Sequence, residues 1–170
     1  MPLIKNKQVV SSDPWVFARE GEAVPSEGDV LVTLPRFLAE QASLLARKGR
    51  VGVTLEPTDE IDALGPLASQ LGLIAVHFPK FGDGRGYSKA RLLRERFGYK
   101  GELRAVGEVL GDQLAYMLRC GMDSFYLVDN KDVAAALRCF DDFSVAYQAA
   151  ADEPRPLYRR AARGQAPEPR

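Results

Sequence analysis

Long apolar runs are missing from this sequence: nowhere do eighteen apolar residues follow one another, and a bilayer-spanning helix needs about that many. The opening stretch Met1–Val10 also lacks the apolar segment and small-residue cleavage site of a secretory leader. Membrane insertion and secretion are therefore not expected, and the cytoplasm is the expected address. Cysteine is scarce, with only Cys120 and Cys139 and no Cys-x-x-Cys spacing. Both thiols read as small core residues on helices and not as a redox pair. Histidine occurs once, as His77, so a paired-histidine metal site is ruled out. No Gly-x-Gly-x-x-Gly pattern opens a helix and no Walker loop is present. A nicotinamide or flavin fingerprint, zinc or an iron–sulfur centre is thus not encoded in any recognisable way. No cofactor is expected.

What is present describes one ordinary globular domain. The 170 residues, 46% hydrophobic and 27% charged, suffice to bury a core without a metal or disulfide staple. Net charge is zero, but it is unevenly spread. Residues 78–104 hold eight bases and three acids, +5, and the tail from Pro154 holds five arginines and one acid, +4, leaving −9 elsewhere. Such asymmetry indicates where an anion can sit and says nothing about fold. With the rest of the domain this acidic, a nucleic-acid partner is not expected, although Phe81, Tyr87, Phe97 and Tyr99 punctuate the basic stretch.

Along the chain, residues 1–28 read as a small hairpin, Leu3-Ile4 against Val9-Val10, a further short strand at Trp15–Ala18, and a turn-rich lead-in. From Val30 the pattern becomes repetitive. Apolar runs at Val30–Leu34, Val51–Leu55, Leu73–Phe78, Leu103–Val106 and Ser124–Val128 each precede a segment of helical period. The first such helix opens at Pro35 and turns Phe37, Leu38, Leu44 and Leu45 inward. The second carries Ile61, Leu64, Leu67, Ala68 and Leu71. The third, with Ser88 as its expected N-cap, buries Leu92, Leu93 and Phe97. The fourth carries Leu110, Leu114, Met117 and Leu118. The fifth runs from Lys131 with Val133, Ala136, Leu137, Phe140 and Phe143 inward. Apolar strands alternating with amphipathic helices require a parallel sheet covered on both faces. The expected fold is thus α/β, with five repeated strand–helix units over 29–150 as an open sheet or an incomplete, TIM-like barrel. Short connections favour sequential strand order. A mobile tail is expected over 151–170.

In both architectures ligands bind at the carboxyl ends of the parallel strands. The longest connection there is Lys80-Phe81-Gly82-Asp83-Gly84-Arg85-Gly86-Tyr87-Ser88, which leads directly into a helix. Glycines let backbone amides approach a ligand, and Lys80, Arg85 and Arg91 flank the helix N-terminus, a ready anion site. Glu108, Asp112 and Gln113 lie in the next loop, and Arg104 stands in an otherwise apolar strand where it needs a partner. Each feature also has a structural reading. The glycines suit a loop requiring positive φ, Arg85 can pair with Asp83 or Glu108, and Tyr87 and Ser88 fit a packed ring and a cap. Lys89, Arg94, Arg96 and Lys100 fit a solvated helix face. His77, at a strand end, reads as structural.

The blocks Phe78-Pro79-Lys80-Phe81, Asp83-Gly84-Arg85-Gly86-Tyr87-Ser88, Ala90-Arg91-Leu92-Leu93-Arg94 and Gly101-Glu102-Leu103-Arg104-Ala105, with Gly107, Asp112-Gln113, Gly121, Asp141–Ser144 and Leu55-Glu56-Pro57, resemble a bacterial family, domain of unknown function 934. Gly82 in the loop and Glu108, where aspartate is frequent, depart from the family's pattern. The resemblance implies a place beside sulfite reductase in assimilatory sulfite reduction and the label of oxidoreductase. The expected function is an accessory protein that binds a small anion, or docks on sulfite reductase, through the 80–91 loop. Lys80, Gly84, Arg85, Gly86, Tyr87, Ser88, Arg91, Arg104 and Gln113 would hold the anion. The alternative is a small barrel-like enzyme using Asp83, Glu108 or Asp112 as acid/base beside a cationic pocket. A purely structural partner of the reductase is a third reading. A homo-oligomer is compatible with all three.

Overall fold

The computed structural model describes residues 2–128 and 132–160. The expected turn at 129–132 and helix start at Lys131 fall partly, and residues 161–170 of the tail wholly, outside the described residues. Eight strands form one mixed sheet: β1 (Leu3–Lys5), β2 (Gln8–Val10), β3 (Trp15–Phe17), β4 (Asp29–Thr33), β5 (Val51–Leu55), β6 (Leu73–Phe78), β7 (Glu102–Gly107) and β8 (Ser124–Tyr126). Their order is β2-β1-β8-β7-β6-β5-β4-β3. From β3 to β8 every pairing is parallel. β1 is antiparallel to both β2 and β8. The β1–β2 turn is made by Asn6 and Lys7, both at positive φ (49° and 61°), the two-residue geometry whose twist suits a hairpin.

The sheet curls into a half-barrel, and chain connectivity shows why it must. β2 and β3 are the two edges, seven strand spacings apart, or about 34 Å if the sheet were flat. Only Ser11–Pro14 separate them, and five residue steps reach about 18 Å at most. The strap 11–14 therefore draws the two edges together across one face.

The opposite face carries the helices. Val30, Val32, Val53, Leu55, Ile74, Val76, Phe78, Leu103, Ala105 and Phe125 share one buried core with Phe37, Leu44, Ile61, Leu64, Ala90, Leu93, Leu114 and Met117. Only two helices are long: α1 (Leu34–Ala46) and α3 (Arg85–Glu95). α2 (Ile61–Leu64) passes at once into a 3-10 turn, Gly65–Gln70, because Pro66 lacks the N–H that would continue it. α4 (Leu114–Arg119) and α5 (Val133–Arg138) are six residues each, and α6 (Leu157–Arg160) is four. The helical segments are thus uneven, and the expected regular repeat of five strand–helix units is not seen among the described residues.

Several expectations at residue level are corrected. α3 begins at Arg85 with Gly84 as N-cap, so Ser88 is an exposed residue inside the helix and caps nothing. The Gly84–Ser88 stretch belongs to the helix because Asp83 turns the chain, accepting from the Arg85 N–H at 3.2 Å. Leu38, Leu45, Leu92 and Phe143, read as inward, are exposed, Phe143 by 78%. Leu38, Leu45 and Leu92 flank a helical stripe and lie at its solvent margin, whereas Phe143 lies past the turn Cys139–Asp141 and belongs to no helix. Lys89 and Arg94, read as solvated, are half-buried and fully engaged, as described below. Cys120 is buried and Cys139 half-buried, both reduced; burial pushes the Cys120 thiol above its ordinary 9.0. Among the described residues no helix is long and apolar enough to cross a membrane.

Candidate functional site

Alternate residues of the parallel strands point away from the helices, into the hollow of the half-barrel. At its floor this hollow is closed by charge. Arg104 on β7 is 2% exposed. Its guanidinium donates to Asp13 of the strap at 2.6 Å, to Glu102 at 2.6 Å and to Ser124 at 3.2 Å, and stacks on the Tyr126 ring. Lys5 on β1 completes the network by donating to Glu102 at 2.6 Å. The Tyr126 hydroxyl also donates to Asp13. Burial opposes the ionised state of Asp13, but the bonds from Arg104 and Tyr126 outweigh it and hold its carboxyl below the usual range. Glu102 behaves likewise, with Lys5 and Arg104 overcoming burial. Burial and the Asp13 carboxylate push the Tyr126 phenol up to about 12.

Above this floor, at the carboxyl ends of the strands, a cavity of about 410 Å³ opens, lined by Phe17, Leu31, Thr54, Glu56, His77, Val106, Gly107 and Tyr126. Every strand from β3 to β8 contributes at least one residue or the residue just past its end. His77 Nδ1 lies 2.7 Å from Glu56 Oε2. Because a carboxylate only accepts, Nδ1 carries the proton in this contact, which makes Nε2 the acceptor nitrogen whenever the ring is neutral. Glu56 is held in place by its own turn: its N–H donates to Asp59 Oδ2 at 2.7 Å. Lys89 reaches from α3 to donate to the Glu56 carbonyl at 2.8 Å and to the Asp59 carbonyl. Burial lowers the Lys89 pKa, against the pull of Asp59 and Glu60.

Gly107 makes room for the ring. Its φ is +96°, and a Cβ there would stand 2.4 Å from the Phe78 carbonyl oxygen and 2.6 Å from His77 Cδ2.

The residues expected to form an anion site are placed otherwise. Arg85 is exposed and forks onto Asp83, 2.7 and 3.0 Å. The hydrogen bonds from Arg85 lower the Asp83 carboxyl to about 2. Glu108 accepts from the Phe81 N–H, so a carboxylate of the chain already occupies that loop amide. Gly86 is buried against Phe78 and Val76, where any Cβ would clash, and none of Gly82, Gly84 and Gly86 has positive φ. Tyr87 packs between Phe78 and Tyr116 at 5.1 Å each. Gln113 is buried and accepts from the Leu110 N–H. Lys80, Gly84, Ser88 and Asp112 are exposed, and Arg91 pairs with Glu95 on the outer face of α3. The sheet itself stands between these residues and Arg104, which faces the hollow.

A second, larger recess of about 550 Å³ lies beside Arg91, Arg94, Tyr99, Lys100 and 149–151. Its central guanidinium is engaged within the chain: Arg94 donates to the carbonyls of Gly121, Tyr99 and Gly101 and to Asp123, all within 2.9 Å. The smaller cavity, with its titratable pair, is the candidate site.

His77 and Glu56 lie 21 residues apart, one strand–helix–strand step, each at the carboxyl end of its strand. That position was the available signal. The apolarity of both faces of β6 hid which way His77 points.

The family described as a bacterial protein of unknown function (DUF934) matches residues 52–158, and the chain belongs to it. No curated protein matches the chain.

Proposed function

We propose that this family member is a small half-barrel enzyme of the cytoplasm whose substrate sits in the cavity at the carboxyl ends of β3–β8. The observation that carries the reading is the His77–Glu56 pair on the wall of that cavity. Among the described residues no protein group hydrogen-bonds Nε2, so that nitrogen is free to take the proton of a bound hydroxyl or thiol. The Glu56 carboxylate then stabilises the imidazolium and keeps the ring oriented. This is the barrel-like enzyme alternative, with His77 in the acid/base role in place of Asp83, Glu108 or Asp112. Assimilatory sulfite reduction, which the sequence resemblance implies, is the proposed setting.

A second reading, docking on sulfite reductase through the 80–91 loop, is favoured by one observation. Phe81 is 54% exposed at the loop tip, between exposed Lys80 and exposed Arg85, and an exposed aromatic ringed by cations suits a protein interface. The internal pairing of Arg85 with Asp83 suits such a surface better than a bound small anion.

Complementation of a deletion strain on sulfate medium, with thermal melts, separates the two. Under the enzyme reading His77→Gln loses a factor of about 10²–10⁴ in activity, the usual contribution of acid–base catalysis, and melts as the parent does. Phe81→Ala and Arg85→Ala then complement. Full complementation by a normally folded His77→Gln variant would remove the enzyme reading, and loss of function in Phe81→Ala alone would establish docking.

A further inference from the structure

The two titratable groups paired on the wall of the half-barrel cavity, Glu56 and neutral His77, present acceptors to it. Glu56 presents a carboxylate, and His77, with its Nδ1–H committed to Glu56, presents in its neutral form an Nε2 lone pair. The nearby cations are engaged elsewhere. The Lys89 ammonium donates to the carbonyls of Glu56 and Asp59. The Arg104 guanidinium, on the same side of the sheet, is taken by Asp13, Glu102 and Ser124. The Tyr126 hydroxyl donates to Asp13. Of the remaining walls, Phe17, Leu31 and Val106 are apolar, and Thr54 adds one neutral hydroxyl that can donate or accept. An oxyanion placed here would lose its hydration beside a carboxylate and a lone pair, with no cation and only the neutral Thr54 hydroxyl in compensation.

We infer that the cavity takes an uncharged, partly apolar small molecule presenting an O–H or N–H donor, and that it rejects sulfite, sulfate and phosphate. The inference rests on the reading of this cavity as the functional site, and it sets the ligand apart from the anions of the pathway in which the protein is proposed to act. Apolar walls supply the contact area and an acceptor fixes the donor, the usual division of labour in a small-molecule pocket. A cavity that merely lacked anion affinity would need no ordered pair of acceptors. Here Lys89 and Asp59 both hold the Glu56 turn in place.

The single histidine makes the test direct, because its ring gives one unambiguous pair of proton–carbon signals. Full-length protein is titrated with phenol, an uncharged ring bearing one O–H, and separately with sodium sulfite and sodium phosphate at matched ionic strength. Phenol is expected to move the His77 signals saturably, and the anions are expected to leave them in place. Val106→Trp, which fills the cavity, should weaken phenol binding at least tenfold. Phe17→Ala, at a side chain 45% exposed whose loss the fold tolerates, should weaken it in the same direction. A saturable response to sulfite or phosphate without one to phenol overturns the ligand class while leaving the cavity as the site. An unchanged phenol response in both variants places binding elsewhere and overturns the inference. Silence towards phenol, the anions and a panel of neutral fragments alike overturns the ligand class and the cavity reading together.

Discussion

At the scale of residues, the site depends on one glycine as much as on the two titratable side chains. His77 can lie along the cavity wall only because position 107 has no side chain and adopts a φ of +96°. Alanine there would be strained by conformation and would also press on the Phe78 carbonyl and the imidazole. Gly107→Ala is expected to cost more than about 1 kcal/mol in a denaturant melt and to move the His77 ring signals in the unliganded protein. A variant that melts normally with unmoved signals would show that the ring is not held against this backbone. Glu56→Gln tests the other side of the pair. The amide can still accept from Nδ1–H but cannot offset an imidazolium, so activity should fall while the ring signals stay close to their parent positions. Lys100→Ala, at an exposed side chain, should change stability by no more than about 0.5 kcal/mol.

At the scale of elements, the strap 11–14 and the strands it ties decide whether the hollow exists. Arg104 is the link, since it holds Asp13 of the strap against β7 and β8. Arg104→Leu leaves the buried Glu102 and the half-buried Asp13 carboxylates without their main partner, a loss of about 3 kcal/mol, measured as a fall in the urea midpoint. The same contacts set a pH dependence. Asp13 and Glu102 both titrate below their ordinary values of 3.8 and 4.5. Their contribution is therefore complete above those values and is lost as pH falls through the lower folded values. Stability should drop steeply below about pH 4 in the parent protein and less steeply in Arg104→Leu, which has already lost the pairing. An equal acid slope in both proteins would place the acid-sensitive carboxylates elsewhere.

The strands were legible in the sequence because apolar β-branched runs announce themselves locally: all five expected runs of the repeat coincide with β4–β8 to within two residues. Helix ends were less legible. Asp83, and not Ser88, turns the chain into α3, and Pro66 cuts α2 to a single turn. The partner of Arg104 was not legible at all, because Asp13 stands 91 residues away in a segment without periodicity. Pairing across that distance is set by sheet curl, which follows from connectivity and has no sequence motif of its own. The His77–Glu56 pair lay between these cases. Each residue was visible at the end of a strand, but with both faces of the strands apolar nothing local assigned either side chain to the hollow.

At the scale of the molecule, the order of the strands determines what can unfold alone. Read along the chain, residues 1–28 look like a lead-in to a self-sufficient repeat. In space β1 lies between β2 and β8, and β3 pairs with β4, so the first three strands extend the sheet at both ends and the strap joins them across its hollow face. Ile4 is completely buried in the same core as Val53 and Leu103. A segment built into both edges and the core cannot detach without exposing the Arg104 network and opening the cavity. Its amides should therefore exchange by the same cooperative opening as those of the central strands. Native-state hydrogen exchange in low denaturant checks this: the Ile4 amide of β1 and the Val53 amide of β5 should converge on one opening free energy. In Arg104→Leu, with the strap released, the β1 and β3 amides should exchange faster than those of β5–β7, and the His77 response to phenol should weaken with them. If Ile4 already exchanges orders of magnitude faster than Val53 in the parent, the N-terminal strands are an appendage. The hollow would then be open in solution, and a site needing Phe17 and Tyr126 on opposite walls would be present only part of the time.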